Sequence, residues 1–249
     1  MDHRVKYNKA PLVETIFQIQ FPEILKISAE QPAAFQEKIR DKYPLFNQKI
    51  INGTITPLGL PVESLPSIKN YEFLNSAGNT KVVLTNTFVA VSTLAYTQWE
   101  DFKKNCIEIV NITNDVYKLN VIQRIGLRYK DLIVRSKWAL KERPWKELIK
   151  AEYLGALSEE DENLISHYVL DYEIKNPADD VYAHNHRELV QERQTLEKSL
   201  LIDNDYYRLG IFKAEDVDSI SDKLHENASL FIQNVFTNQL EQAMEPLEL

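Results

Sequence analysis

The chain has few of the residues from which common chemical sites are built. Its 249 residues include one cysteine, Cys106, and six glycines. A single cysteine excludes an intramolecular disulfide and a cysteine-rich zinc site. The sequence also lacks the glycine-rich phosphate-binding loops of the P-loop and dinucleotide-binding types. We therefore expect no bound metal, no cofactor and a reducing, cytoplasmic environment.

Positive charge and long apolar runs are scarce as well. The chain has 29 Lys and Arg against 37 Asp and Glu, which gives a formal net charge of −8. Nucleic acids and anionic membranes attract proteins mainly through excess positive charge, so nucleic-acid binding is not favoured. No apolar run reaches the roughly 18–20 residues of a membrane span, and the start of the chain lacks the apolar stretch of a signal peptide. We expect no membrane association.

Hydrophobic periodicity predicts an α+β fold. The stretch APLVETIFQIQF (10–21) alternates as a strand with one apolar face, and the regions 121–134 and 200–212 also have strand patterns. Residues 187–197 fit either a helix or a strand, and we favour a strand. The order of elements predicts two similar β-α-β-β-β-α halves with antiparallel sheets, covered by two long amphipathic helices. We place these halves at 1–119 and 120–249 and expect them to pack as one compact unit.

The two long helices have recognisable patterns. Thr97 to Glu100 match a capping box, which predicts the start of the first helix. The second is predicted from about residue 215 to residue 244, because apolar residues recur there every three or four positions. Cys106 lies on the apolar stripe of the first helix, and His225 lies beside the stripe of the second. Both are expected to be core residues.

The most informative motif is RIGLRYKDLI (124–133). Side chains alternate across a strand, so Arg124, Gly126 and Arg128 share one face. The glycine between two guanidinium groups leaves a gap that fits a carboxylate or phosphate. In the alternative interpretation, which we favour, each arginine pairs with an internal carboxylate.

Three acidic residues are candidate partners for these arginines. Glu14 interrupts an apolar strand pattern, and Asp203 and Asp205 share one face of a later strand. The two aspartates also fit a divalent metal site or an acid–base pair. We favour an internal charge network of Glu14, Arg128, Asp203 and Asp205. His184 and His186 form an HxH pattern, but the segment has the composition of a polar loop and we expect no metal there.

Four motifs together carry a family resemblance. They are APLVETIFQIQF near the start, RIGLRY in the centre, LLIDNDYY later, and KLHENASLFIQNVFTNQL towards the end. In this order the chain resembles a sporadically distributed family of uncharacterised prokaryotic proteins. It departs from the family pattern RIGLRYxN by carrying Asp131 where that pattern has Asn. The resemblance implies a cytoplasmic protein whose patchy occurrence is typical of mobile, including defence-type, gene clusters.

No catalytic constellation follows from residue spacing, so the sequence favours a protein that is not an enzyme. Our leading hypothesis is a binding or assembly protein whose partner is another protein or a second copy of the chain. A second hypothesis is a sensor of an anion or nucleotide that uses Arg124, Gly126 and Arg128. A third is a metal-dependent hydrolase or nuclease that uses Asp203, Asp205 and Glu14.

Overall fold

The computed structural model describes residues 6–51, 68–191 and 195–247. These residues divide into two compact units. The first unit comprises Met1–Thr15, Leu127–Tyr207 and Asp222–Leu249, and the second comprises Ile16–Gly126 and Arg208–Ser221.

The elements follow in chain order. The strands are Lys6–Tyr7 (β1), Leu12–Gln20 (β2), Leu45–Ile51 (β3), Ile68–Leu74 (β4), Thr80–Leu84 (β5), Phe88–Thr93 (β6), Ile122–Ile133 (β7), Val169–Asn176 (β8), Val181–Gln191 (β9), Lys198–Phe212 (β10) and Pro246–Leu247 (β11). The helices are Leu25–Ala29 (α1), Ala33–Ile39 (α2), Trp99–Tyr117 (α3), Val217–Val235 (α4) and Asn238–Ala243 (α5). Short 3₁₀ turns occupy Arg135–Trp138, Trp145–Glu147, Ala151–Tyr153, Gly155–Ser158 and Ala214–Asp216.

The predicted α+β class with a mostly antiparallel sheet is confirmed. The units, however, are interleaved in sequence, whereas the predicted halves 1–119 and 120–249 are contiguous. The difference arises because β2, β7 and β10 each contribute residues to both units.

In the first unit, hydrogen-bonded strands follow the order β2-β7-β10-β9-β8, and β1 pairs with β11 separately. Strand β9 is antiparallel to both β10 and β8. The hydrophobic core of this unit lies between these strands, the 3₁₀ turns and the carboxyl-terminal helices. Its fully or almost fully buried members include Ile133, Trp145, Leu148, Ile149, Leu154, Leu200, Ile202, Val235, Phe236, Leu240 and Met244.

In the second unit, the strand order is β3-β4-β5-β6-β2-β7. The pairs β3–β4, β4–β5 and β5–β6 are antiparallel. Helix α3 buries an apolar stripe that includes Trp99, Phe102, Cys106 and Ile109. Burial raises the pKa of the Cys106 thiol well above its ordinary value.

Two details of the helices differ from the sequence predictions. The predicted capping box at Thr97 is not formed. Helix α3 has Gln98 as its N-cap residue and no side-chain capping hydrogen bond. The final helix does not continue to residue 244. It ends at Val235, and Thr237 begins α5 by accepting a hydrogen bond from the Leu240 N–H. Among the described residues, no helix is long and apolar enough to cross a membrane.

Candidate functional site

The chemistry-bearing residues of the first unit lie on two faces of its strands. We call one the polar face, formed by Arg128, Lys130, Asp203, Asp205, His184, His186 and Asp171. We call the opposite one the buried face, formed by Asp131, Asn185, Arg187, Asn204 and Tyr206. Strand alternation separates them, since neighbouring residues of one strand point to opposite sides. The ladder places Asp203 opposite His186 and His186 opposite Asp171, while Asn204 lies opposite Asn185.

On the polar face, Arg128 and Asp203 form a two-pronged pair. Nε and Nη2 of Arg128 donate to the two carboxylate oxygens of Asp203, each at 2.6 Å. Hydrogen bonding to Asp203 raises the pKa of Arg128, with smaller contributions from the charges of Asp203, Asp205 and Glu14. Because the donating edge of Arg128 is occupied by Asp203, this geometry does not favour Arg128 as a ligand contact.

Glu14 has a different partner from the one predicted. Its carboxylate accepts a hydrogen bond from Lys130 at 2.7 Å, and both side chains are about three-quarters buried. Asp205 contributes to the potential at Arg128. The structure therefore brings Glu14, Arg128, Asp203 and Asp205 together on one face, with Lys130 as an additional cation.

Arg124 and Gly126 belong to the second unit. Nη1 of Arg124 donates to Oε1 of Gln18 at 3.3 Å. A Cβ atom added to Gly126 would lie 2.3 Å from Nη1 of Arg124. The guanidinium of Arg124 therefore crosses the backbone of Gly126 closely, and the gap that we predicted as an anion site is filled by Arg124 itself.

The sequence predicts a loop for the HxH segment, but the segment is part of strand β9. Nε2 of His184 and Nδ1 of His186 both contact the carboxylate of Asp171, at 2.6 and 2.9 Å. Hydrogen bonds from His186 and then His184 lower the pKa of Asp171. In the described part of the chain, no group of three or more His, Cys, Asp or Glu side chains has an arrangement that holds a metal.

The buried face carries a residue that the sequence did not single out. Arg187 on β9 is fully buried, at 0% exposure. Its Nη1 donates to the hydroxyl of Tyr172 at 3.2 Å, and its guanidinium carbon lies 5.5 Å from the ring centres of Tyr153, Tyr172 and Phe231. Nε and Nη2 of Arg187 have no hydrogen-bond partner among the described residues.

Polar neighbours of Arg187 are also incompletely paired. Oδ1 of Asn185, Oδ1 of Asn204 and the hydroxyl of Tyr206 are buried and have no partner among the described residues. Burial raises the pKa of Tyr206 well above its ordinary value, and the positive charge of Arg187 partly offsets that rise. The buried face thus combines two unused donors with two unused amide acceptors and one hydroxyl.

Asp131 is a buried titratable group of this face, whereas His225 on helix α4 is half-buried. Burial, together with the nearby charge of Asp203, raises the pKa of Asp131 from its ordinary 3.8 to about 7. Nδ1 of His225 lies 2.8 Å from the hydroxyl of Tyr129, so the predicted hydrogen-bonded histidine is present, but it is half-buried rather than a core residue.

Sequence reasoning missed Arg187 for a specific reason. The segment VYAHNHREL is polar on both faces of the strand, which gives it the composition of a loop. The structure shows that Val181, Ala183, Asn185 and Arg187, which alternate along the strand, are all buried, but two of the four are polar and give no apolar alternation in the sequence. Of the region 187–197, residues to Gln191 continue the strand, as favoured, residues 192–194 lie outside the described residues, and residues 195–197 are a turn and irregular backbone rather than strand.

No family model matches the chain, and no curated protein matches it.

Proposed function

We propose that the protein is a non-catalytic binding and assembly protein that associates with a second copy of itself through strand β3. The observation that supports this proposal is the exposure of that strand. Strand β3 is the outermost strand of its sheet among the described residues. Leu45, Phe46 and Ile50 are 50%, 42% and 61% exposed. An exposed edge strand with apolar side chains offers unpaired backbone groups to another chain.

The residue pattern of β3 favours pairing with an identical strand. Two copies related by a two-fold axis perpendicular to the sheet pair antiparallel, and an axis at Gln48 places Phe46 of one copy opposite Ile50 of the other. Asn47 then lies opposite Lys49, and Gln48 lies opposite itself. No two like charges meet, and Lys49 is neutralised by Glu72 at 2.9 Å.

The proposed dimer can be tested by placing a charge at Gln48, the residue on the two-fold axis. Gln48→Lys and Gln48→Glu each place two like charges directly opposite one another, which destabilises strand pairing. We expect the wild-type chain to sediment as a dimer and each variant to sediment as a monomer. An equal mixture of the two variants pairs Lys with Glu, so it should recover a dimer that contains one copy of each.

Ile211→Lys is the matched control, since Ile211 is 84% exposed on β10 and outside β3. This variant should remain a dimer. A monomeric wild-type chain would overturn the proposal, as would dimeric Gln48→Lys.

Several further properties belong to the same proposal. We infer membership of the sporadically distributed prokaryotic family, a cytoplasmic location and an origin in a mobile or defence-type gene cluster. We also infer an internal duplication into β-α-β-β-β-α halves, which the equal lengths of α3 and α4, nineteen residues each, support.

The anion sensor based on Arg124 and Arg128 is less favoured, because Asp203 occupies the edge of Arg128. The hydrolase based on Asp203 is less favoured for the same reason.

A further inference from the structure

We propose that the buried face of the first unit binds one small oxyanion, a carboxylate or phosphate whose molecule also carries N–H or O–H donors, through Nε and Nη2 of Arg187. This inference is independent of the proposed self-association, which concerns a strand of the second unit.

The Nε–Nη2 edge of the Arg187 guanidinium is the first feature that supports an oxyanion ligand. Nε and Nη2 of Arg187 lie on the same edge, and this edge matches the two oxygens of a carboxylate or phosphate. Arg128 shows the same edge in use, since its Nε and Nη2 donate to the two oxygens of Asp203. In Arg187 both atoms are buried and have no partner among the described residues.

A buried cation without acceptors is energetically unfavourable. Removal of a charge from water is costly, and unmade hydrogen bonds add to that cost. Contacts with aromatic rings recover part of it. The rings of Tyr153, Tyr172 and Phe231 therefore offset part of the charge but leave the N–H donors without acceptors.

Asp131 does not have the pKa of a counter-ion to Arg187. Asp131 is buried on the same face, but its pKa is raised by burial and by Asp203. A carboxyl group paired with a guanidinium would have a lowered pKa instead. Because Nε and Nη2 of Arg187 also have no partner among the described residues, we assign the matching negative charge to a bound molecule.

The remaining polar atoms indicate what else that molecule carries. Asn204 lies opposite Asn185, two positions along the ladder from the Ile202–Arg187 pair and therefore on the same face. Oδ1 of both asparagines accepts hydrogen bonds but has no donor among the described residues. A ligand with an amino or hydroxyl group beside its anionic group satisfies these acceptors. Because Arg187, Asn185 and Asn204 are at most 2% exposed, we expect the ligand to be small.

The test uses four probes on the full chain: acetate, inorganic phosphate, lactate and glycine. Binding is measured by isothermal titration calorimetry and by the shift of the melting temperature. We expect at least one probe to give saturable heat and a raised melting temperature. Lactate and glycine should bind more tightly than acetate, because they add donors for Asn185 and Asn204. A response to phosphate alone would identify a phosphate ligand.

Three variants separate ligand binding from a purely structural role. Arg187→Met should abolish binding while the melting temperature without probe stays equal or rises, since an apolar side chain of similar size replaces an unpaired cation. Arg187→Lys keeps the charge but loses the two-pronged edge, so binding should fall at least about tenfold. Asn204→Leu should remove the advantage of lactate and glycine over acetate. Arg128→Met, as the control, should retain binding.

The outcomes are decisive in each case. If no probe binds to the wild-type chain, the proposal is overturned and Arg187 has a structural role. Binding that is unchanged in Arg187→Lys and Asn204→Leu also overturns it, even if Arg187→Met fails to fold.

Discussion

Arg128 and Arg187 lie in the same unit, on opposite faces of its strands, and they are paired in different ways. Arg128 is partly exposed, and Nε and Nη2 of its guanidinium are occupied by Asp203 at 2.6 Å. Arg187 is fully buried and uses one nitrogen on the hydroxyl of Tyr172, while Nε and Nη2 have no partner among the described residues.

Arg128 and Arg187 differ in whether protein groups already satisfy the guanidinium, and this difference indicates where a ligand can bind. On the polar face the charges have protein partners, as Arg128 has Asp203, Lys130 has Glu14, and His184 and His186 have Asp171. Such pairs need no ligand. On the buried face, polar groups are withdrawn from water without full compensation, which is energetically costly and uncommon. The contrast between the two faces can be tested by changing one group at a time.

The largest effect is expected from Asp131→Asn on the buried face. Between about pH 4 and pH 7 the unfolded chain releases the Asp131 proton while the folded chain, with a pKa of about 7, retains it. The free energy of unfolding of the wild-type protein therefore falls as pH rises through this interval and is level above it. Asparagine cannot ionise, so the variant does not lose stability in this way. Its free energy of unfolding should exceed that of wild type by an amount that grows to about 4 kcal/mol between pH 4 and pH 8.

Urea unfolding at several pH values measures this difference. Parallel pH profiles of the two proteins would show that Asp131 ionises as readily in the folded state as in the unfolded chain.

A smaller loss is expected from Arg128→Ala on the polar face. This change leaves the Asp203 carboxylate, which is 8% exposed, without its cation. Because the Arg128 side chain is 43% exposed and solvent screens the pair, its loss should cost about 2 kcal/mol, less than for a fully buried pair, measured as the free energy of unfolding in urea. The control is Arg143→Ala, which removes an exposed pair with Glu147 and should cost less than about 0.5 kcal/mol. Equal losses in both variants would remove the distinction between the two pairs.

The smallest effect concerns the exposed carboxylate of Asp171. Hydrogen bonds from His186 and His184 lower its pKa, so its ionised form adds stability above the ordinary pKa, and this stability is lost as pH falls through the lowered value. In the double variant His184→Gln/His186→Gln, the pKa should return towards its ordinary value. An NMR titration of the Asp171 side-chain carbon measures the change. His167→Gln is the control, and an unchanged titration in the double variant would contradict the geometry.

The sequence predicts only part of the polar face. Alternation along RIGLRYK and LLIDNDYY places Arg128, Asp203 and Asp205 on definite sides of their strands, because the side-chain period of a strand is fixed. It does not predict which acid meets which base. Glu14 pairs with Lys130 rather than with Arg128, since register between distant strands depends on the whole sheet.

The buried face was harder to predict for a physical reason. Periodicity indicates that two residues share a side but does not indicate which side is covered by other elements. Arg187 and Asn185 are polar, so their burial contradicts the composition of the segment, and only the packed structure reveals it. The end of α4 at Val235 was missed similarly, because apolar residues continue beyond it while Thr237 caps a new helix.

The single cysteine has a practical consequence for measurements on this chain. Cys106 is 1% exposed on helix α3, and its thiol resists ionisation, so the folded second unit protects it from alkylating reagents. The first unit contains no cysteine. The rate at which a maleimide labels the native protein therefore reports the opening of the second unit alone, and a fluorophore attached after unfolding marks one defined position.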